Sequence, residues 1–323
     1  MDRSPLDGVL IPIGICLEML ALFIGLSGFW TQGAPLSGVL VHASRPTFYP
    51  PTATPLPAPT HLPTAIPTAT PAADGTPEPT LISLPTPTTD PASLPDSVEV
   101  PILTYHYVEE LPVDADATRQ MLTVLPDHFE AQLQYLSAAG YHPITLADLY
   151  HDLTEGQPLP DKPIILTFDD GYRDAYDIVF PLLQKYGFVG TFFILSGPVG
   201  NEDPTYLAWA MIEEMAGAGM DIEGHGRDHF SLTAESPESQ VYQIQGVKED
   251  VESHTGKPVH FFCYPYGEYD ENVIAAVQAA GYWGAVSTEW GRFQSQEILF
   301  TLHRIRIHGS DGLQGFIEKV EGE

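Results

Sequence analysis

Over residues 98–323, short continuous apolar runs alternate with segments whose apolar positions recur at helical spacing. "VEVPILTYH", "KPIILTF", "GTFFIL", "MDIEGH", "VHFFCYPYG", "YWGAVST" and "RIRI" read as strands. Between them lie "PDHFEAQLQYLSAAG", with Phe129, Leu133 and Leu136 on one helical face, "DAYDIVFPLLQKYG", "TYLAWAMIEEMAGAG", "SPESQVYQIQGVKEDVESHTG" and "ENVIAAVQAAG"; "LQGFIEKV" closes the series as a last helix. Strands apolar at every position are covered on both faces, which predicts a parallel sheet with helices outside it. About seven strands in one α/β domain predict a distorted or incomplete (β/α) barrel. No internal repeat is visible. Chemistry in such barrels belongs at the C-terminal ends of the strands.

The pattern is different before residue 98. Residues 1–8 form a short tail, and residues 9–30, "VLIPIGICLEMLALFIGLSGFW", carry one charge, Glu18. That run is long enough for a transmembrane signal-anchor, although a mid-membrane carboxylate costs a few kcal/mol. A cleaved secretion signal is the alternative, giving a secreted rather than a membrane-held domain. Residues 31–97 then hold a Pro/Thr-rich stretch, with 15 of the chain's 31 prolines between Arg45 and Ser97. Such composition predicts an extended, disordered linker, suited to holding a catalytic domain, residues 98–323, away from a membrane surface.

Charge narrows the choice of partner. The formal charge is −30, from 43 acidic and 13 basic residues. A phosphate backbone needs a basic footprint, so nucleic acid is excluded as a partner. Cys16 and Cys263 are the two cysteines; they build neither a disulfide framework nor a structural zinc cluster. Cys263 has no basic neighbour in sequence and reads as a small packed hydrophobe.

Candidate chemistry gathers just past the strand ends: His106 after the first, Asp169 and Asp170 in "TFDDG" after the second, His225 and His229 in "GHGRDHF", and "YPYG". Each piece alone is unremarkable, since Asp-Asp-Gly is usually a turn and paired histidines usually sit on a surface. Together, two histidines and a carboxylate suit a divalent cation with open positions. A cation also removes the repulsion between adjacent aspartates, with one as ligand and the other as base. The same ligand set serves non-haem iron oxygenases, which have no use for the second carboxylate.

"PILTYHYV", "TFDDG", "HGRDH" and "YPYG" resemble, in that order, the motifs of the polysaccharide deacetylase family, the NodB-homology or carbohydrate esterase 4 domain. The opening Tyr105–His106 is similar to the branch that acts on poly-N-acetylglucosamine. The resemblance implies a metal-dependent hydrolase that removes acetyl groups, chiefly N-acetyl groups, from an extracellular or cell-wall polysaccharide. It implies Asp170, His225 and His229 as ligands of one divalent ion, expected to be zinc, Asp169 as general base, and the backbone N–H of Tyr266 as oxyanion donor. Three departures stand out. Gly226 replaces a loop-bracing hydroxyl, and Cys263 replaces an arginine that orients the base, a role open to Arg304. No clean C-terminal Leu-x-x-His is present, since His303 and His308 are poorly spaced, so His106 is expected to act as the acid. O-acetyl cleavage and a non-catalytic sugar-binding domain are the rival functions. Trp290 is placed either against sugar or in the core. His128, His142, His151, His254 and His260 read as ordinary surface or loop residues.

Overall fold

The computed structural model describes Leu94 and residues 96–322. The anchor and most of the linker expected before them lie outside the described residues. Among the described residues, no helix is long and apolar enough to cross a membrane.

Seven parallel strands close into a barrel: β1 (Ile102–Tyr105), β2 (Pro163–Phe168), β3 (Thr191–Ile194), β4 (Asp221–Gly224), β5 (Phe261–Cys263), β6 (Gly284–Trp290) and β7 (Leu302–Arg306). Neighbours in sequence pair from β2 to β7, and β1 bonds to both β2 and β7. The barrel is therefore closed, with one strand fewer than the eightfold form. A two-residue strand, His142–Pro143, pairs with β2 outside the ring, and Val98–Glu99 pairs antiparallel with Phe293–Gln294.

Strand alternation sorts the side chains. Ile102, Ile165, Phe193, Phe261, Val286 and Leu302 belong to one buried cluster inside the barrel. Leu103, Leu166, Phe192, Ile222, Phe262 and Ile305 join a second one beneath the helices. The surrounding helices are α1 (Ala117–Leu122), α2 (Pro126–Ala138), α3 (Leu146–Glu155), α4 (Phe180–Tyr186), α5 (Trp209–Gly217), α6 (Pro237–Thr255), α7 (Glu271–Ala279) and α8 (Gly312–Glu321). Helix α2 buries Phe129, Gln132, Leu133 and Leu136, as its spacing predicts. Helix α6 starts on Ser236, whose hydroxyl accepts the Ser239 N–H, with proline in its first turn, and stops at left-handed Gly256.

Two elements differ from the expectation. The segment "DAYDIVFPLLQKYG" is divided into a π-turn, Ala175–Val179, and α4, because Pro181 lacks a donor and fits only a first helical turn. Helix α3 was not expected. Its signal is the reciprocal cap in which Thr145 accepts the Asp148 N–H while Asp148 accepts the Thr145 N–H.

Candidate active site

Strand β2 delivers two aspartates at its C-terminal end, and the chain then turns sharply. Asp170 and Gly171 both have φ of +72°. Aspartate tolerates that left-handed conformation better than most side chains, and glycine occupies it freely. A side chain at residue 171 would also meet Ile194 Cδ1 at 3.2 Å. The turn presents the two carboxylates to different partners.

Asp169 is 4 % exposed and meets Arg304 in a two-pronged pair, Nη1–Oδ1 and Nη2–Oδ2 both at 2.8 Å. The guanidinium is itself anchored: Nε donates to Ser287 O at 2.8 Å and Nη1 to Thr167 Oγ1 at 3.0 Å. Cys263, fully buried, places its sulfur 3.3 Å from Arg304 Nη2 and 3.6 Å from Asp169 Oδ2. The position that lacks an arginine thus holds a small thiol beside the one that β7 brings in. Burial alone would raise the Asp169 pKa; Arg304 overrides it and holds the carboxyl well below the usual range.

Asp170 faces the histidines. Its Oδ1 lies 3.2 Å from His225 Nε2 and 3.5 Å from His229 Nε2. The Nδ1–H of His225 donates to Cys263 O at 2.7 Å, which leaves the Nε2 lone pair directed at the shared space. Asp170 Oδ1 is buried and has no hydrogen-bond partner. An orphaned carboxylate oxygen beside two imidazole nitrogens, all within 4.8 Å of one another, fits a divalent cation of the zinc type. Asp169, His225 and Cys263 also lie close together, but both Asp169 oxygens are engaged by Arg304. Asp170, His225 and His229 are therefore the candidate ligand set.

The loop that carries both histidines is braced from α6. Gln243, 2 % exposed, accepts the Asp228 N–H at 2.7 Å and donates to Asp228 Oδ2 at 3.1 Å. Arg227 holds Asp250 at 2.8 and 2.9 Å. Gly226 has φ of +91°, and a Cβ there would stand 3.4 Å from the Gln243 oxygen. The amide of Gln243 takes up the bracing that a hydroxyl at residue 226 cannot provide.

Asp169, Asp170, His225, His229 and Arg304 line one cleft of about 380 Å³, together with His106, Tyr266 and Arg306. Burial lowers the pKa of His106 against the opposing pull of Asp169 and Asp170, so it rests neutral at neutral pH. Tyr266, 60 % exposed, has φ of +60°, a strained value for a bulky residue at a binding site. Its ring packs edge-on to His229 at 4.2 Å, and its hydroxyl donates to His229 O at 3.1 Å.

His303 pairs with Glu289 at 3.4 Å, and neither it nor His308 lines the cleft. Trp290 is 68 % exposed, so it is not a core residue, and it does not line the cleft either. Sequence reasoning missed the aromatic wall, in which Tyr107 stacks on Tyr172 at 4.0 Å and Arg119 covers the Tyr107 ring at 3.3 Å. Its signal was present, since Tyr107 and Tyr172 flank the His106 and Asp170 motifs.

Residues 156–285 match the family profile described as polysaccharide deacetylase. YxkH of Bacillus subtilis, which carries a provisional polysaccharide-deacetylase name, is 30% identical over 217 residues, covering 67% of this chain and 74% of that protein. The chain belongs to the polysaccharide deacetylase family. Members of this family are hydrolases acting on amide-linked acetyl groups. The poly-beta-1,6-N-acetyl-D-glucosamine N-deacetylase of Escherichia coli K12 is 25% identical over 259 residues, 68% of this chain but 38% of its own length. Among solved structures, a Streptococcus pyogenes deacetylase in complex with acetate superposes with a TM-score of 0.64 at 26% identity, covering 69% of this chain and 98% of that one. A polysaccharide deacetylase from Bacillus cereus gives 0.62 at 27%, covering 69% of both.

Proposed function

We propose that this deacetylase-family chain is a metal-dependent hydrolase that removes N-acetyl groups from an extracellular or cell-wall polysaccharide rich in N-acetylglucosamine. The observation that carries the reading is the division of labour in "TFDDG": Asp169 is committed to Arg304, and Asp170 is committed to two histidines. A divalent cation bound by Asp170, His225 and His229 would supply Lewis acidity to an acetyl carbonyl and to water in that corner of the cleft.

The chain's own groups account for the proton movements. Asp169, kept ionised by Arg304, accepts the proton released as water adds to the acetyl carbon. The peptide N–H of Tyr266 is the group assigned to the developing oxyanion. His106 then delivers a proton to the departing nitrogen as the C–N bond breaks, leaving acetate and a free amine. Because it rests neutral, the proton it gives must first reach it from Asp169, the group that took it from water. An O-acetyl ester would need less help in leaving, so His106→Ala should slow amide cleavage far more than aryl acetate cleavage. An equal loss on both would remove His106 from that role.

The full-length protein should release acetate from chitooligosaccharides and poly-N-acetylglucosamine, stop when chelated, and recover with zinc. Zinc-loaded protein that releases acetate from none of these, nor from peptidoglycan, would defeat the reading. Residues 9–30 are proposed as the membrane anchor, to be tested by membrane fractionation. A mature N-terminus between Trp30 and Arg45 would mean secretion instead.

A further inference from the structure

Eleven of the thirteen Lys and Arg residues lie among the described residues. Ten of them have an ion-pair or hydrogen-bond partner. The exception among the described residues is Arg306, and it lines the catalytic cleft. Its backbone carbonyl accepts from Lys319, but among the described residues no acidic or polar group meets its guanidinium. Strand alternation places Arg306 on the same face of β7 as Leu302 and Arg304, which point into the barrel. Its Cα is in register with Thr104 of β1, two residues before His106.

The charge balance at this wall is unusual for a chain with a net charge of −30. Arg304 neutralises Asp169, and Asp170 belongs with the two histidines and their cation. Arg306 is left over, two residues further along β7, in the same cleft as His106. An unpaired arginine amid so many carboxylates has escaped every acidic side chain available. The fork of a guanidinium matches a carboxylate or phosphate with two parallel hydrogen bonds.

We propose that Arg306 is a specificity residue that binds an anionic substituent, carboxylate or phosphate, on the acetylated sugar or its neighbour. The polysaccharide is then an acidic amino-sugar polymer rather than a wholly neutral one. This rests on the deacetylase reading above and refines its substrate class.

The test compares three oligosaccharides of equal length: a chitotetraose, an alternating N-acetylglucosamine–N-acetylmuramate tetrasaccharide, and its 6-phosphorylated muramate form. Binding is measured on full-length Asp169→Asn protein loaded with zinc, and acetate release on the active protein. The wild-type cleft should favour one or both anionic oligomers by about tenfold or more, the scale of a charge-assisted pair. The preference should weaken with salt. Arg306→Gln should bring the anionic-to-neutral ratio of kcat/KM close to one, whereas Arg306→Lys, charged but without the fork, should retain part of it. The stronger of the two anionic arms identifies the group. Equal binding of neutral and anionic oligomers, or an unchanged ratio in folded Arg306→Gln, overturns the proposal. An Arg306-dependent binding preference without acetate release from any oligomer would defeat the deacetylase reading and leave the anion site standing.

Discussion

Asp169 and Asp170 at the barrel mouth, and Asp221 and Glu223 on β4, are all carboxyl groups largely removed from water. They respond in opposite directions. Burial pushes all four up, yet the mouth pair ends below the ordinary range because Arg304 lies against Asp169 and His225 against Asp170. On β4, Asp221 is pushed up to about 6, relieved only partly by the Thr191 hydroxyl at 3.1 Å. Glu223, 1 % exposed, is also raised well above its ordinary value although it accepts the N–H groups of His260 and Phe261 at 2.8 and 2.7 Å. Neutral donors do not offset lost hydration as a full opposite charge does. The mouth favours ionised acids, whereas burial on β4 favours the neutral form.

The strongest way to break this contrast is to remove the partners of Asp170. His225→Ala should lose zinc on dialysis and reduce acetate release by at least about a thousandfold, beyond the loss of a single proton-transfer group. Metal content measured beside activity checks that the two fall together. Next comes the partner of Asp169. Arg304→Met leaves a buried charge unpaired, which costs about 3–5 kcal/mol at pH 7 in urea unfolding. The pH dependence should also reverse. In the wild type, the depressed Asp169 contributes stability above the unfolded carboxyl range that is lost as pH falls. In the variant its pKa is raised, so the protein should gain stability relative to wild type on acidification.

Asp169→Asn sharpens the contrast rather than breaking it. The cation site should stay filled while turnover falls about a hundredfold, the scale of a lost general base. Loss of zinc in that variant would exchange the roles of the two aspartates. The smallest effect belongs to β4. Asp221, with its raised pKa, is most favourable to folding when protonated, and that contribution is lost as pH rises toward and through about 6. Asp221→Asn should flatten the stability profile across that window, by at most about 3 kcal/mol, and leave acetate release unchanged. A variant as pH-sensitive as wild type would place the titration elsewhere.

Much of the mouth was legible because strand ends punctuate the sequence. The apolar run of β2 stops at Asp169, and β4 ends at Gly224 just before His225, so local pattern alone placed candidate ligands at one end of a barrel. What local pattern cannot carry is pairing across the ring. Arg304 lies 135 residues from Asp169, and only strand closure turns an arginine at the position expected of it into a two-pronged partner. Gln243 is harder still. Nothing in "VYQIQG" separates it from Gln245, which is exposed and bonds to Glu249, except which face α6 turns inward. The shifted β4 acids follow the same logic, since strand periodicity names the inward face but not the scarcity of charge there.

The order in which the chain leaves the ribosome gives the Arg304–Asp169 pair a biosynthetic meaning. The base-bearing strand is the second to emerge and the arginine-bearing strand the seventh, and that last strand also seals the ring against β1. Closures between such distant segments form late, because the intervening chain must be ordered before the contact repays it. Until then Asp169 lacks the charge that lets it stay ionised away from water. A nascent chain can hold both histidines and both aspartates and still lack the Arg304–Asp169 pair. The buried charge of Asp169 thus finds its partner only with the final turn of assembly.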